Sequence, residues 1–211
     1  MRSAAARMTR LWVTKMFGSI ACMAVFFIAY FWILNHPFFP LTTIPRTAPD
    51  RWIPFAPGAL ALYVSLWVYV PLAPSLLSTR RELWDYLLAA VALSAIGFAV
   101  FVLWPTTVPG PEPGAAAAPS LVYLKAVDAS GNAFPSLHVA FAVFTALGFG
   151  RILRELGAGA FARALNWAWC AGIVYSTIAI RQHVALDALS GAILGAAVAF
   201  AHRRLSRESG P

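Results

Sequence analysis

Charge is what this chain has least of. Only 11% of its 211 residues are Asp, Glu, Lys or Arg while 60% are hydrophobic, against about a quarter charged in soluble domains. That excludes an ordinary soluble protein and points to an integral membrane protein. Cysteine is nearly absent: Cys22 and Cys170 both fall within apolar runs, which excludes a disulfide framework and a Cys-x-x-Cys redox pair. No His, Cys, Asp or Glu set has metal-ligand spacing, so neither a metal nor a cofactor is expected. The first apolar run, 16–34, is too long for a leader and lacks a closing Ala-x-Ala site, so it is expected to be a retained span. There is no internal repeat and no polar block large enough for a second domain.

What the chain has is apolar length. Runs at 16–34, 59–77, 84–104, 135–153, 165–180 and 183–202 each approach the roughly 20 residues that a crossing needs. The expected fold is all-α: a polytopic membrane protein of six transmembrane helices in a bundle, one domain over 1–211. The proline-rich segment 35–58 has no helical period and is expected to lie on the membrane surface, with Phe38, Phe39, Trp52 and Phe55 at the headgroups. The span 59–77 is expected to kink at Pro71 and Pro74. The start of 105–133, rich in proline, is expected to be extended.

The net charge of +8 raises the question of nucleic acid, and its placement answers it. Twelve of the sixteen Lys and Arg fall in the N-terminus, the 78–83 turn, the 151–164 loop and the C-terminus. Such alternation is the positive-inside pattern of a membrane protein, and no nucleic-acid partner is expected. It predicts both termini in the cytoplasm, in the inner membrane of a cell.

Two polar clusters interrupt the apolar pattern, both on the non-cytoplasmic side by that count. The stretch 132–138 reads Asn-Ala-Phe-Pro-Ser-Leu-His. Pro135 suits the first position of a helix, which would leave the amides of Ser136 and Leu137 unpaired beside the Ser136 hydroxyl and the His138 imidazole. Free amides at a helix N-terminus form an anion site, above all for phosphate. The second cluster, 181–187, reads Arg-Gln-His-Val-Ala-Leu-Asp. On a helix His183 and Asp187 share a face, so the carboxylate can hold the ring. Each cluster read alone is equally a capped helix end or a satisfied polar pair. Gly191 and Gly195 share that face and let a neighbouring helix approach closely. Ser176 and Thr177 either bond to their own helix carbonyls or face the same pocket.

Phe134-Pro135-Ser136-Leu137-His138-Val139-Ala140, then Ser176-Thr177, then His183-x-x-x-Asp187 together resemble the type 2 phosphatidic acid phosphatase superfamily. They most resemble its inositolphosphotransferase branch, related to fungal inositol phosphorylceramide synthases. The stretches 50–55 and 101–109 also look like that branch, so the resemblance covers about 50–200. It implies a lipid-phosphate phosphatase or phosphotransferase working through a phosphohistidine at the non-cytoplasmic face. His183 would attack phosphorus, Asp187 would orient it, His138 would protonate the leaving oxygen, and Ser136 would hold phosphate oxygens.

The chain departs from that family in its cations. No lysine is followed seven residues later by Arg-Pro, and Thr177 stands six before His183 where an arginine is usual. Arg181 is the nearest substitute, with a headgroup anchor as its other reading. Lys125, Arg46 and Arg51 lie on the same side, and Asn132 and Thr177 join the substrate-binding candidates. Because of the missing cations, a catalytically silent relative that binds lipid headgroups is the alternative. A small transporter with a His-Asp relay ranks below both. The lipid, the acceptor and the oligomeric state stay open.

Overall fold

The computed structural model describes residues 3–110 and 131–208. Among these, five helices are long and apolar enough to cross a bilayer: Trp12–Asn35, Pro57–Ser75, Arg80–Leu103, Leu137–Glu155 and Ala185–Ser206. The protein is therefore a helical integral membrane protein. The expected count of six is not reached by length and composition. Ala160–Ala179 has 20 residues, but Arg163, Asn166, Trp167 and Trp169 make it less apolar than the five. It packs in the same bundle all the same.

In chain order the elements are α1 (Ala4–Thr9), α2 (Trp12–Asn35), β1 (Thr42–Thr43), α3 (Ala48–Trp52) and a 3-10 turn (Pro57–Ala59). Three short helices follow, α4 (Leu60–Val64), α5 (Leu66–Tyr69) and α6 (Leu72–Ser75), then α7 (Arg80–Leu103), β2 (Thr106–Thr107), α8 (Leu137–Glu155), α9 (Ala160–Ala179) and α10 (Ala185–Glu208). Of the two prolines expected to kink the second span, Pro71 stands at the interruption before α6, where it has no N–H to donate, the backbone staying helical there, and Pro74 lies within α6. A further break at Ser65, which the prolines do not announce, divides α4 from α5.

Several boundaries differ from expectation for reasons of capping. Of the turn expected at 78–83, residues 80–83 instead belong to α7. Thr79 Oγ1 accepts from Glu82 N at 3.1 Å and Glu82 Oε2 accepts from Thr79 N at 2.9 Å, a reciprocal cap that starts the helix early. α8 begins at Leu137, two residues after Pro135, because Ser136 takes the cap position and accepts from Val139 N at 3.2 Å. α10 begins at Ala185, leaving His183 in the turn before it.

The segment 35–58 is also less irregular than expected. It contributes α3 and β1, and β1 pairs in parallel with β2, Thr42 with Thr106 and Thr43 with Thr107. Thr106 is fully buried. Its carbonyl accepts from Gly131 N and Ala133 N, both at 3.1 Å, and its hydroxyl accepts from Phe134 N at 2.7 Å. This ladder fixes the approach to α8 from the loop side.

α8 is the centre of the bundle, packed against α5, α6, α7, α9 and α10. Its contact with α10 is set by the small residues expected to permit it. A Cβ placed on Gly191 would lie 2.2 Å from Ser136 O, and one on Gly195 2.2 Å from Ala140 O. Helix backbones meet at such positions without side chains between them. α2 is peripheral, with Leu34 its one buried residue.

Candidate active site

The site is assembled where α8 and α10 begin. Ser136 N donates to Asp187 O at 3.0 Å, which joins the two helix starts directly. Ser136 and Asp187 are both fully buried. Of the amides expected to be unpaired, that of Ser136 is therefore taken. Among the described residues the unpaired pair at this helix start is shifted by one, to Leu137 and His138, because the hydroxyl and carbonyl of Ser136 pair with Val139 and Ala140. Two free N–H groups at the positive end of a long helix remain available to an anion.

His183 Nδ1 donates to Asp187 Oδ2 at 2.9 Å. Both residues are buried, so water does not compete for the pair. The i, i+4 contact is made although His183 precedes the helix. Gln182 N and His183 N both donate to Thr177 O, at 3.1 and 3.0 Å, and the chain folds back so that the ring meets the first turn of α10. Asp187 Oδ1 accepts from Ala188 N at 3.0 Å, fixing the carboxylate from its other side. With Nδ1 held, Nε2 is the ring atom left for chemistry.

His138 is held differently. Its Nε2 donates to Tyr63 O at 3.0 Å, and its ring lies parallel to that of Tyr63, centroids 3.9 Å apart. Since a carbonyl can only accept, Nε2 carries the proton and Nδ1 is the free atom. Tyr63 was not singled out by its sequence position.

The remaining substrate-binding candidates are distributed as follows. Asn132 donates through Nδ2 to the Tyr30 hydroxyl. Thr177 Oγ1 donates to Val174 O at 2.8 Å and Ser176 Oγ to Ile173 O at 2.6 Å, so both hydroxyls satisfy their own helix. Arg181 directs its guanidinium to the carbonyls of Asp50, Ile178 and Ile53, at 3.2, 3.3 and 3.1 Å. Arg51 is exposed, and Arg46 donates to Gly110 O at 2.9 Å. Lys125 lies outside the described residues. Among the described residues no three His, Cys, Asp or Glu side chains come together as a metal would require.

Asp50 is the residue that pattern reasoning passed over. It is buried, 2% exposed, and its carboxylate accepts from Thr47 N, Thr47 Oγ1 and Ala185 N, each at 2.7 Å. The available signal was Thr47-Ala48-Pro49-Asp50, a helix-start pattern with a carboxylate at its fourth position.

A PAP2 superfamily family model matches residues 82–210, more than half of the chain. The chain belongs to the PAP2 superfamily. Members of this superfamily are generally phosphatases or phosphotransferases, which agrees with a membrane phosphatase-type function for this chain. The match runs from Glu82, in the first turn of α7, through α10 and takes in both histidine clusters, whereas the stretch 50–55 lies outside it. Neither a curated protein nor a solved structure matches the chain.

Proposed function

We propose that this PAP2 superfamily chain is a lipid-phosphate phosphatase or phosphotransferase that works through a phosphohistidine on His183. The observation that carries the reading is the buried His183–Asp187 pair, set against two free helix amides and a second histidine. His183 Nε2 forms a bond to phosphorus while the bond from phosphorus to the leaving oxygen breaks. For this half His138 must enter as the imidazolium: it gives its Nδ1 proton to that oxygen and is left neutral, while its Nε2–H continues to donate to the Tyr63 carbonyl. Asp187 keeps Nδ1 protonated and stabilises the ring as it becomes positive. In the second half the oxygen of water or of an alcohol attacks phosphorus, its proton goes to His138, and the nitrogen–phosphorus bond breaks.

The amides of Leu137 and His138 are suited to phosphate oxygens, with Ser136 holding the helix start. Arg51, exposed in the last turn of α3, is the first choice for the missing cation, with Arg181, Lys125 and Arg46 after it. A site where two apolar helices begin gives an acyl chain and a phosphate each its own medium, which favours a lipid substrate. The resemblance of 50–55 and 101–109 favours the inositolphosphotransferase branch, and the basic loops favour a site on the non-cytoplasmic face.

Purified protein incubated with labelled lipid phosphates, with and without inositol, tests the reading. An acid-labile phosphoenzyme that is absent in His183→Ala is the expected outcome, and free phosphate or a new phosphodiester identifies the acceptor. Wild-type turnover in His183→Ala would refute the mechanism. A wild-type chain that binds lipid phosphates without forming the intermediate would favour the silent alternative. For the face, a cysteine introduced at Ala116 should be labelled from outside intact cells and one at Ala158 should not, and the reverse would put the site on the cytoplasmic side.

A further inference from the structure

Two segments far apart in sequence grip each other at the His183 turn, and the chemistry above makes no use of that grip. From one side the Arg181 guanidinium reaches the carbonyls of Asp50 and Ile53, at 3.2 and 3.1 Å. From the other, Asp50 Oδ1 accepts from Ala185 N at 2.7 Å, capping α10 two residues after His183. The carboxylate is itself fixed, because Oδ2 accepts from both the amide and the hydroxyl of Thr47 at 2.7 Å. A further tie, Ala56 N to Ala179 O at 2.9 Å, anchors the same loop to the end of α9. The turn between these points is not one that a chain adopts freely. Arg181 has φ +62°, a left-handed conformation that non-glycine residues rarely take.

We infer that Asp50 and Arg181 form a reciprocal clamp that positions the nucleophile, holding the 181–185 turn so that the His183 ring meets Asp187. The inference rests on the reading of His183 as nucleophile and adds two positioning residues to it. It also reassigns Arg181, since a guanidinium holding backbone carbonyls sets geometry, whereas a phosphate ligand would contact substrate. A buried carboxylate suits the first task. It caps a helix at its positive end, and its charge makes each of its three accepted bonds stronger than a neutral acceptor would.

The clamp has consequences that neither a stability role nor a phosphate-binding role shares. Displacement of a catalytic group by about 1 Å costs on the order of 100-fold in rate. Asp50→Asn and Arg181→Ala should therefore each lower the rate of phosphoenzyme formation about 10- to 100-fold, with KM and inhibition by inorganic phosphate within about threefold of wild type. Because both hold one turn, Asp50→Asn/Arg181→Ala should be little worse than the more damaging single change. Thr47→Val, which removes one hydrogen bond to Asp50 and keeps the side-chain shape, should act in the same direction and less.

The experiment measures these rates in one detergent, together with thermal unfolding and the 15N-histidine ring spectrum. The Nδ1–H resonance of His183, identified by its loss in His183→Ala, should broaden or vanish in Asp50→Asn while the protein remains folded. Wild-type kcat and ring signal in Asp50→Asn would overturn the clamp, as would a lowered unfolding temperature with unchanged kcat. Weakened phosphate inhibition in Arg181→Ala at unchanged kcat would return that residue to substrate binding and overturn it too. Should Asp50→Asn fail to fold, Thr47→Val decides by the same readouts, and wild-type values there count against the clamp. If the wild-type chain forms no phosphoenzyme, the functional reading fails separately, and the ring spectrum still decides the clamp.

Discussion

The starts of α8 and α10 each carry a histidine and each need a cap, and they obtain it in opposite ways. At α8 the cap is local: Ser136, next to the helix, accepts from Val139 N. At α10 it comes from 135 residues away, where Asp50 accepts from Ala185 N. The histidines differ to match. His138 rests on a backbone carbonyl and an aromatic face supplied by Tyr63, while His183 is held by a buried carboxylate. A ring that must become positively charged benefits from the carboxylate. The difference accords with the roles proposed for the two histidines.

The largest expected effects lie at the α10 start. His183→Ala should abolish phosphoenzyme formation, and Asp187→Asn should lower its rate by about 10³- to 10⁴-fold, as loss of an orienting carboxylate does elsewhere. Quenched-flow trapping of the intermediate from labelled substrate measures both. Equal, small losses in the two variants would remove the distinction between the helix starts. At the α8 start the effect should depend on the substrate. His138→Ala should cost about 10²- to 10³-fold with a lipid alkoxide leaving group. With a p-nitrophenyl phosphate the loss should be much smaller, because that leaving group needs no proton. An equal loss with both substrates would show that His138 positions phosphate and does not supply a proton.

The same comparison explains what could be read from residue order. The α8 start was partly legible, since Pro-Ser-Leu-His is a local pattern and cap, helix and imidazole lie within one turn. Its error of two residues arose because Ser136 outcompetes Pro135 for the boundary, a contest that spacing does not decide. The His183–Asp187 contact was legible from an interval of four, although His183 lies outside the helix that the interval assumes. The cap on α10 was not legible. Nothing near Ala185 announces Asp50, and Thr42–Thr43 gives no sign that it pairs with Thr106–Thr107. Long-range backbone pairing depends on which loops the bundle brings to one end. Membrane character, by contrast, is written in composition alone.

A third pair of changes tests how the two starts are brought together. Gly195→Ala puts a Cβ 2.2 Å from Ala140 O, and backbone cannot move aside cheaply, so a loss of about 1–3 kcal/mol is expected. Gly148→Ala, on α8, meets nothing nearer than 3.7 Å. It should be neutral or gain up to about 1 kcal/mol from helix propensity. Thermal unfolding in detergent distinguishes the two. Similar values for both would mean that α8 and α10 are not held by close backbone approach.

The smallest effect should come from Ser136→Ala, and it separates the two tasks given to this residue. The family resemblance puts the hydroxyl on a phosphate oxygen, whereas in the structure it is buried and caps α8 at 3.2 Å. Removing a cap of this kind costs about 1 kcal/mol of stability. The backbone bond from Ser136 N to Asp187 O does not depend on the side chain, so the two helix starts should remain joined. If capping is the whole role, Ser136→Ala should lower the unfolding temperature and leave kcat within about threefold. Ser136→Thr, which keeps a hydroxyl, tests the same point if the extra methyl can be accommodated against Gly191, whose own missing Cβ marks how little room there is. If the hydroxyl instead turns to phosphate in the substrate complex, the loss of a hydrogen bond to a charged group, about 1.5–3 kcal/mol, would appear in the rate. The α8 start would then contribute a transition-state contact as well as a proton, and its contrast with α10 would narrow to which histidine forms the covalent bond.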